Sequence, residues 1–497
     1  MNDTIRSLAV DHDRRAMATI ELLEELERHG VCASVRDGRL VTRPKGGVPA
    51  HLVPELIGHK AELIALLAER AADRDAAVGS PSLLGIDTKI ATFRPAQEAA
   101  LDWIEQSHSR FLLLDAPTGS GKSLIGRAAG AVLQQRAAYL ATDKGLQRQF
   151  TAAFGDSAEL MGRGNYRRPE WLEGITCEDC TWTPKHGCSW CGADREGCPY
   201  QIAKATALEA PFAVLNTAYF LTEANHGGAF SREGQLVVID EADTLEDEVL
   251  RQVAVSLDDK ALQEMGGLSA PCLGEEPQWA FAAWEAARGI ASQRRRVVDF
   301  LREADEKPRE LARAQRQAER WTGLARRLGA LAEDLKEDPR SWVRRKTEEP
   351  TPGQPRPPVE FDPVYVRKYA AGRLWRHGGR FLLMSATLLA PEVLARELGI
   401  PDGEWDYLQL DSDFPAERRP VYFRPVASMA YRHRERSLPL LVDELDGLLD
   451  RYSGRVLVHS QTFGIGRSVV ARSRHRDRFV LYEGGGRDDG VERYKSR

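Results

Sequence analysis

A glycine-rich segment is the first part of the chain whose residue types and spacing point to chemistry. Residues 116–123 read Ala-Pro-Thr-Gly-Ser-Gly-Lys-Ser, directly after the apolar residues 111–115 and before a helical run. Glycines let backbone N–H groups surround a phosphate, and the start of a helix adds a favourable dipole. We expect Lys122 to reach the β- and γ-phosphates of a nucleotide and the Ser123 hydroxyl to bind Mg²⁺. The residues predicted to contact the nucleotide in this segment are Thr118, Gly119, Ser120, Gly121, Lys122 and Ser123.

A second candidate segment lies at the end of another apolar run. Residues 237–243 read Val-Val-Ile-Asp-Glu-Ala-Asp. An aspartate at the end of a buried strand can hold Mg²⁺ through water, and a neighbouring glutamate can polarise the attacking water. We assign the first role to Asp240 and the second to Glu241. Together with Lys122, these carboxylates predict a site that binds MgATP and hydrolyses it.

The cysteines are clustered in a way that is typical of metal ligands. Five of the seven fall within residues 177–198, as two CxxC pairs followed by a single cysteine. Four thiolates from the two pairs satisfy a tetrahedral Zn²⁺ site, and a [4Fe–4S] cluster also requires four thiolates. The spacing therefore predicts a metal and leaves both metals open. The candidate ligands are Cys177, Cys180, Cys188, Cys191 and Cys198.

The elements that position these residues follow from short apolar runs. Residues 111–115, 137–142, 236–240, 380–385 and 455–460 are such runs, and helical stretches separate them. This pattern is typical of buried parallel strands in an α/β sheet. The sequence therefore predicts an α/β fold in which both candidate segments follow strands.

Residues 245–370 contain no comparable run. Instead, residues 279–336 are charged, rich in arginine and helical in pattern, and residues 350–358 are rich in proline. A segment with so many prolines forms neither a helix nor a central strand. We therefore predict a mostly helical insertion within the α/β domain.

Composition limits the classes of protein to which the chain can belong. Its 497 residues exceed the size of about 250–300 residues at which a single core stops growing, so several domains are expected. The net charge of −5 provides no overall attraction for nucleic acid, so any such contact must be local. The absence of a long apolar run and of a signal-peptide pattern predicts a cytoplasmic protein without membrane contact.

The order of further motifs resembles that of the superfamily 2 helicases. Residues 93–97 (Phe-Arg-Pro-Ala-Gln) precede the glycine-rich segment, and residues 385–387 (Ser-Ala-Thr) follow a third strand. The resemblance implies that Gln97 contacts adenine and that residues 142–149 contact the DNA strand. It also implies that a set of residues couples the nucleotide state to the grip on DNA. These coupling residues are Asp243, Ser385, Ala386 and Thr387.

Four more segments resemble the XPD/DinG family of helicases, and this resemblance extends over roughly residues 90–490. The segments are residues 161–166 (MGRGNY), 198–200 (CPY), 214–219 (VLNTAY) and 414–423 (FPAERRPVYF). The resemblance implies RecA-like motor domains, with a [4Fe–4S] domain and a helical arch inserted in the first. It further implies 5′→3′ translocation on single-stranded or forked DNA.

The same resemblance implies that Cys198 is the last ligand of the cluster. Arg167 and Arg168 stand where the family often has its first cysteine. The other three ligands are therefore expected among the four remaining cysteines of the cluster.

Residues 17–70 form a separate unit with a different resemblance. A helical stretch is followed by a hairpin, with Asp37 and Gly38 at its turn, and by a second helical stretch. The patterns LL-x-x-L-x-x-x-G-V and G-R-L, together with residues 59–67 (HKAELIALL), resemble the TubC N-terminal docking domain. This resemblance implies a protein partner for residues 17–70, and residues 71–82 are typical of a linker.

These assignments divide the chain into five parts. The parts are a TubC-like docking domain (1–75), a first RecA-like motor domain (76–160, 200–244 and 365–395), a cysteine-rich metal insertion (161–199), an arch-like helical insertion (245–364) and a partial second RecA-like motor domain (396–497).

The C-terminal residues affect the helicase activity that we expect. After a predicted strand at 479–483, no segment resembles the last two helicase motifs, which include the arginine that reaches the γ-phosphate. We therefore expect an ATP-dependent DNA helicase with an incomplete second motor domain and slow ATP turnover by this chain alone. The alternative is a non-catalytic, nucleotide-dependent DNA-binding or adaptor protein.

Overall fold

In the computed structural model the chain folds into two compact units, Met1–Asp413 and Phe414–Arg497. None of the helices in the described part of the chain is both long enough and apolar enough to span a bilayer. The structure describes residues 19, 22–23, 25–26, 31–36, 39–43, 48–67, 80–167, 176–179, 182–183, 187–188, 197–226, 228–232, 234–304, 308–345, 358–388, 390–412, 414–418 and 420–481.

The N-terminal part of the first unit has a small core of its own. Strands β1 (Cys32–Arg36) and β2 (Arg39–Arg43) pair antiparallel, as the predicted hairpin requires, and helix α1 (Val53–Gly58) follows. The predicted turn residues Asp37 and Gly38 lie outside the described residues. The buried core residues, which are separate from those of the large sheet described next, are Leu22, Leu23, Leu26, Val31, Leu52 and Leu63.

A parallel sheet of seven strands forms the centre of the first unit, in the order β14-β3-β13-β9-β4-β8-β5. Four of its strands coincide with predicted apolar runs, which confirms the parallel α/β sheet. Every residue of β3, β4 and β9 is buried, because both faces of the sheet are covered. The strands are β3 (Phe111–Asp115), β4 (Ala137–Ala141), β5 (Ser157–Leu160), β8 (Phe212–Asn216), β9 (Leu236–Asp240), β13 (Arg380–Ser385) and β14 (Trp405–Gln409).

Helices cover both faces of this sheet. Phe111 and Leu113 belong to one apolar cluster and Leu112 and Leu114 to another, since successive side chains of a strand point to opposite faces. The helices next to the sheet in sequence are α2 (Pro95–Gln106), α3 (Lys122–Val132), α4 (Lys144–Ala153), α5 (Pro199–Glu209), α6 (Thr217–His226), α7 (Leu245–Val253), α11 (Arg367–Arg373) and α12 (Pro391–Glu397).

The predicted helical insertion also contains a small sheet. Strands β10 (Val255–Leu257), β11 (Trp342–Arg344) and β12 (Val359–Pro363) pair antiparallel, with β12 in the middle. These three strands are an addition to the prediction for residues 245–370, which was of a mostly helical insertion. These strands are only three to five residues long, and their residues are not all apolar. They therefore do not appear in the sequence as apolar runs.

Two long helices, α9 (Glu276–Glu303) and α10 (Pro308–Glu337), form an antiparallel hairpin in this insertion, and the short helix α8 (Asp259–Glu264) precedes them. Arg302 donates a hydrogen bond to Gln315 (3.2 Å), while Gly329 lies against Trp284, so the helices run in opposite directions.

A buried carboxylate joins this hairpin to the rest of the first unit. Asp334 of α10 accepts hydrogen bonds from Trp342 Nε1 (3.0 Å) and from the side chains of Lys368 and Tyr369 on α11. A buried carboxylate with several donors is satisfied, and the loss of one donor costs stability.

The boundary between the two units differs from the predicted boundary at residue 396. Strand β14 pairs in parallel with β3 and therefore belongs to the first sheet. The first unit extends to Asp413. As the edge strand of the sheet, β14 is only partly buried, so its sequence WDYLQ lacks the continuous apolar character of the central strands.

The second unit is built around helices α13 (Arg434–Arg451) and α14 (Phe463–Arg472). Their packing involves Leu438, Val442, Ile465 and Val469. The predicted strands at 455–460 and 479–483 are not present in the described residues of these segments. A strand requires a neighbouring strand for its hydrogen bonds, and Leu457 is instead 85% exposed.

Candidate functional site

The glycine-rich segment forms a loop at the carboxyl end of β3. The strand ends at Asp115 and helix α3 begins at Lys122. Gly119 and Gly121 have φ angles of 85° and 83°, in the left-handed region. This region costs other L-residues about 1–2 kcal/mol, whereas glycine enters it readily. The chain thus turns tightly into the first turn of a helix, where backbone N–H groups and the helix dipole favour an anion.

Gln97 and Arg94, at the start of α2, hold this loop from one side. Gln97 Nε2 donates to the Ser120 carbonyl (2.8 Å), and Arg94 donates to the Gly119 carbonyl (2.9 Å). Gln97 Oε1 accepts from the Arg94 backbone N–H (2.9 Å), and the Gln97 residue is 2% exposed. Gln97 therefore braces the glycine-rich loop, a role that the sequence did not suggest. Its predicted contact with adenine stays a prediction.

The other loop residues present polar groups around the same turn. Lys122 folds back over the loop, and its Nζ donates to the Ala116 carbonyl (3.4 Å). Thr118 is exposed, whereas the Ser120 hydroxyl is buried and lacks a hydrogen-bond partner among the described residues. A buried hydroxyl without a partner is unusual in a folded protein and suits a site that receives a polar ligand.

Asp240 ends strand β9 and is oriented by a residue of the neighbouring strand β4. The Tyr139 hydroxyl donates to Asp240 Oδ2 (2.6 Å), and Asp240 Oδ1 accepts from the Glu241 backbone N–H (3.1 Å). Burial, and next the charge of Asp240, raise the pKa of Tyr139 well above its ordinary value, so the hydroxyl stays protonated. Sequence reasoning missed Tyr139, because a tyrosine within an apolar strand resembles an ordinary core residue.

Glu241 leaves the strand in an uncommon backbone conformation. Its φ of 51° lies in the left-handed region, which a residue other than glycine adopts at a cost of about 1–3 kcal/mol. Burial and the adjacent Asp240 raise the pKa of Glu241, and Lys122 opposes this rise. A carboxylate with a raised pKa beside this glycine-rich loop is suited to accept a proton from water.

The predicted coupling residues meet at the same edge of the sheet. Ser385 Oγ donates to Asp243 Oδ1 (2.7 Å), and the Thr387 backbone N–H donates to Ser385 Oγ (3.2 Å), with Ala386 between them in the chain. This contact forms because β13 lies beside β9. The structure thus brings the residues together, and their coupling role stays a prediction.

The oxygen donors of the site fit Mg²⁺. This ion prefers oxygen ligands and is usually bound through one or two carboxylates or hydroxyls together with substrate phosphates. The Ser123 hydroxyl, in the first turn of α3, and the Asp240 carboxylate, at the end of β9, are the groups that would hold the ion.

The described residues include only part of the cysteine-rich insertion. Cys177 and Cys198 are free of disulfides and buried in the same apolar cluster. Short strands β6 (Trp182–Thr183) and β7 (Gly187–Cys188) pair antiparallel between them in sequence. No group of three or more potential ligands in the described part is arranged around a metal position. The predicted ligands outside it are Cys180, Cys191 and the side chain of Cys188.

A basic cavity of about 1200 Å³ lies between the helical hairpin and the part of the first unit that contains the large sheet. Sequence reasoning noted the arginines of residues 279–336 but not that several of them converge with Lys144 and Arg163. Cations outnumber carboxylates among the described lining residues. The cations are Lys144, Arg163, Arg295, Arg302, Arg316, Arg320 and Arg326, and the carboxylates are Glu178, Glu223, Asp299 and Glu319.

Aromatic rings form part of the wall of this cavity. The hydroxyls of Tyr200 and Tyr219 are hydrogen-bonded to each other (2.7 Å), and the Arg163 guanidinium lies over the Tyr200 ring, 5.3 Å from its centroid. Tyr200 is 2% exposed, so the arginines of the wall, and not this ring, are the groups available to a nucleic acid.

Comparisons with known proteins give one family match and several similar structures. Residues 20–69 match the TubC N-terminal docking domain, which confirms the resemblance of this segment. No curated protein matches the chain. An XPD helicase structure is 16% identical, with 78% of this chain and 75% of that chain covered and a TM-score of 0.45. Xpd4 of S. tokodaii is 13% identical, with 81% and 79% covered and a TM-score of 0.47. A structure of XPD in its apo form is 15% identical, with 81% and 76% covered and a TM-score of 0.40.

Gly121→Ala should weaken nucleotide binding about tenfold or more. The φ of 83° strains any residue with a Cβ, by about 1–2 kcal/mol, and the added atom would overlap Gln97 Nε2. Titration with a fluorescent ATP analogue measures the change. Gly289→Ala in α9 is the control, because no described atom lies within 4 Å of its added Cβ. Equal affinities for the two variants would show that the loop geometry is not required.

Proposed function

We propose that this chain is an ATP-dependent DNA helicase of the XPD/DinG type, which couples MgATP hydrolysis to movement along single-stranded or forked DNA. The observation that carries this proposal is the meeting of two functional groups of residues at one sheet edge. Lys122 and Asp240 belong to the nucleotide group, and the bonded pair Asp243 and Ser385 belongs to the coupling group. A phosphate loop alone would support nucleotide binding without movement.

The proposed hydrolysis uses groups that surround the phosphate loop. Water attacks the γ-phosphorus, Glu241 accepts the proton from that water, and the bond from the γ-phosphorus to the bridging oxygen breaks. ADP leaves with the electron pair of that bond. Lys122 stabilises the charge on the β- and γ-phosphate oxygens. Mg²⁺, when bound by Ser123 and Asp240, neutralises phosphate charge.

The basic cavity supports DNA as the second ligand. The chain carries a net charge of −5, so a nucleic acid must be attracted locally. Seven cations and four carboxylates line the described walls. Residues 142–149, predicted to contact DNA, contribute Lys144 to the same cavity. We therefore assign the path of single-stranded DNA to this cavity.

A [4Fe–4S] cluster is the metal that we propose for the cysteine-rich insertion, with Zn²⁺ as the alternative. Two buried free thiols, Cys177 and Cys198, near the two ends of the insertion are compatible with a four-thiolate site. Cys198 would be the last ligand, as the family resemblance implies. When bound, the cluster would cross-link the insertion.

The N-terminal domain is proposed to bind a protein partner. Residues 20–69 match a docking domain, and their buried core is separate from that of the motor. We therefore propose that residues 17–70 recruit a partner while the motor domain acts on DNA.

Lys122→Ala should weaken MgATP binding at least about tenfold, because it removes the cation expected to contact the phosphates. The Glu241→Gln variant should bind MgATP like the parent but hydrolyse it more slowly. Equilibrium titration measures the first property, and single-turnover hydrolysis with protein in excess over ATP measures the second. Equal affinity in Lys122→Ala and the parent would remove the proposed site. Binding without any hydrolysis by the parent would favour the non-catalytic adaptor.

Arg295→Ala should weaken binding of single-stranded DNA several-fold. If Arg295 neutralises one phosphate, the slope of log affinity against log salt should fall by about 0.7. Arg296→Ala is the matched control, because this neighbouring arginine is exposed but does not line the cavity. Fluorescence anisotropy at several salt concentrations measures both variants. An identical loss in both would place the DNA elsewhere on the hairpin.

Protein purified without oxygen should be brown and contain about four iron atoms per chain. Cys198→Ser should lose the iron, whereas Cys272→Ser, which changes an exposed cysteine outside the insertion, should keep it. Metal analysis and the visible spectrum measure the result. Stoichiometric zinc without iron would favour the site formed by the two CxxC pairs.

A further inference from the structure

A buried tyrosine holds one of the oxygen donors predicted to bind Mg²⁺. Tyr139 lies in the middle of β4 and is 1% exposed. Its hydroxyl donates to Asp240 Oδ2 (2.6 Å). One side chain of β4 thus holds the carboxylate at the end of β9.

The ring of Tyr139 is held firmly in this position. Phe150 packs against it with 4.0 Å between ring centroids. Helix α3 also approaches closely, since a Cβ on Gly126 would lie 3.2 Å from Tyr139 Cε2. Because both Phe150 and α3 pack against the ring, its hydroxyl has little freedom to leave Asp240.

We propose that Tyr139 is a positioning residue that orients Asp240 for Mg²⁺. This inference rests on the proposed nucleotide site and extends it to a residue outside the phosphate loop and the acidic strand end. With Tyr139 on one oxygen and the Glu241 N–H on the other, the Asp240 carboxylate cannot rotate freely. A carboxylate that is already oriented loses little freedom when a metal binds.

Removal of the hydroxyl has a specific expected effect. Tyr139→Phe keeps the ring packed against Phe150 and α3 but leaves Asp240 Oδ2 without its buried donor. Loss of a residue that orients a metal ligand typically lowers metal affinity about 10–100-fold. The contacts of the loop backbone and Lys122 with phosphate do not involve Tyr139, so affinity for the nucleotide without metal should stay unchanged.

The experiment compares binding of ADP with and without Mg²⁺ and measures Mn²⁺ binding in the presence of ADP by electron paramagnetic resonance. Tyr139→Phe should bind ADP like the parent in EDTA, and its Mn²⁺ affinity should fall at least about tenfold. Tyr369→Phe is the matched control, because it removes another buried tyrosine–aspartate hydrogen bond, that with Asp334 of the hairpin. This control should lower the thermal unfolding temperature and leave Mn²⁺ affinity unchanged.

Two results would overturn the inference. The first is a Mn²⁺ affinity of Tyr139→Phe equal to that of the parent. The second is an equal loss of ADP affinity with and without metal, which would assign Tyr139 to packing alone. A parent protein that binds no nucleotide under either condition would instead reject the proposed function itself.

Discussion

Parallel pairing of the central strands is the constraint on which the candidate site depends. Adjacent parallel strands end at the same edge of a sheet, so the residues that follow them must meet there. Strand β13 lies between β3 and β9 and pairs with both. The glycine-rich loop after β3, Asp240 at the end of β9 and Ser385 at the end of β13 are therefore neighbours, although more than 260 residues of chain separate the first from the last.

The same constraint lets the chain carry large insertions without loss of the site. The cysteine-rich segment lies between β5 and β8, and the helical hairpin lies between β9 and β13. Each insertion begins after one strand of the sheet and ends before another. The strands on either side of it therefore still pair in parallel with their neighbours. The basic cavity forms where the hairpin and residues 162–165 face each other, which gives a chain of net negative charge a local surface of the opposite sign.

The strands that the sequence predicts correctly are mostly apolar and buried. Strands such as β3 and β9 are buried on both faces, so they appear as continuous apolar runs. The edge strand β14 and the short strands β10 to β12 are only partly buried, and they were missed. Strand β8 was missed as well, although four of its five residues are buried. Residues 455–460 show the reverse error. Their apolar sequence satisfies the pattern of a strand, yet a strand also requires a paired neighbour, which local sequence cannot specify.

For the site, the sequence by itself determined the chemistry that individual residues can perform. Glycines 119 and 121 permit the left-handed loop, Lys122 supplies a cation, and Asp240 and Glu241 supply carboxylates, because these properties belong to the residue types and their local spacing. Only the tertiary structure decided which groups orient them. Gln97 beneath the loop and Tyr139 beside Asp240 come from other elements, and contacts between distant segments depend on strand order and helix packing rather than on local sequence.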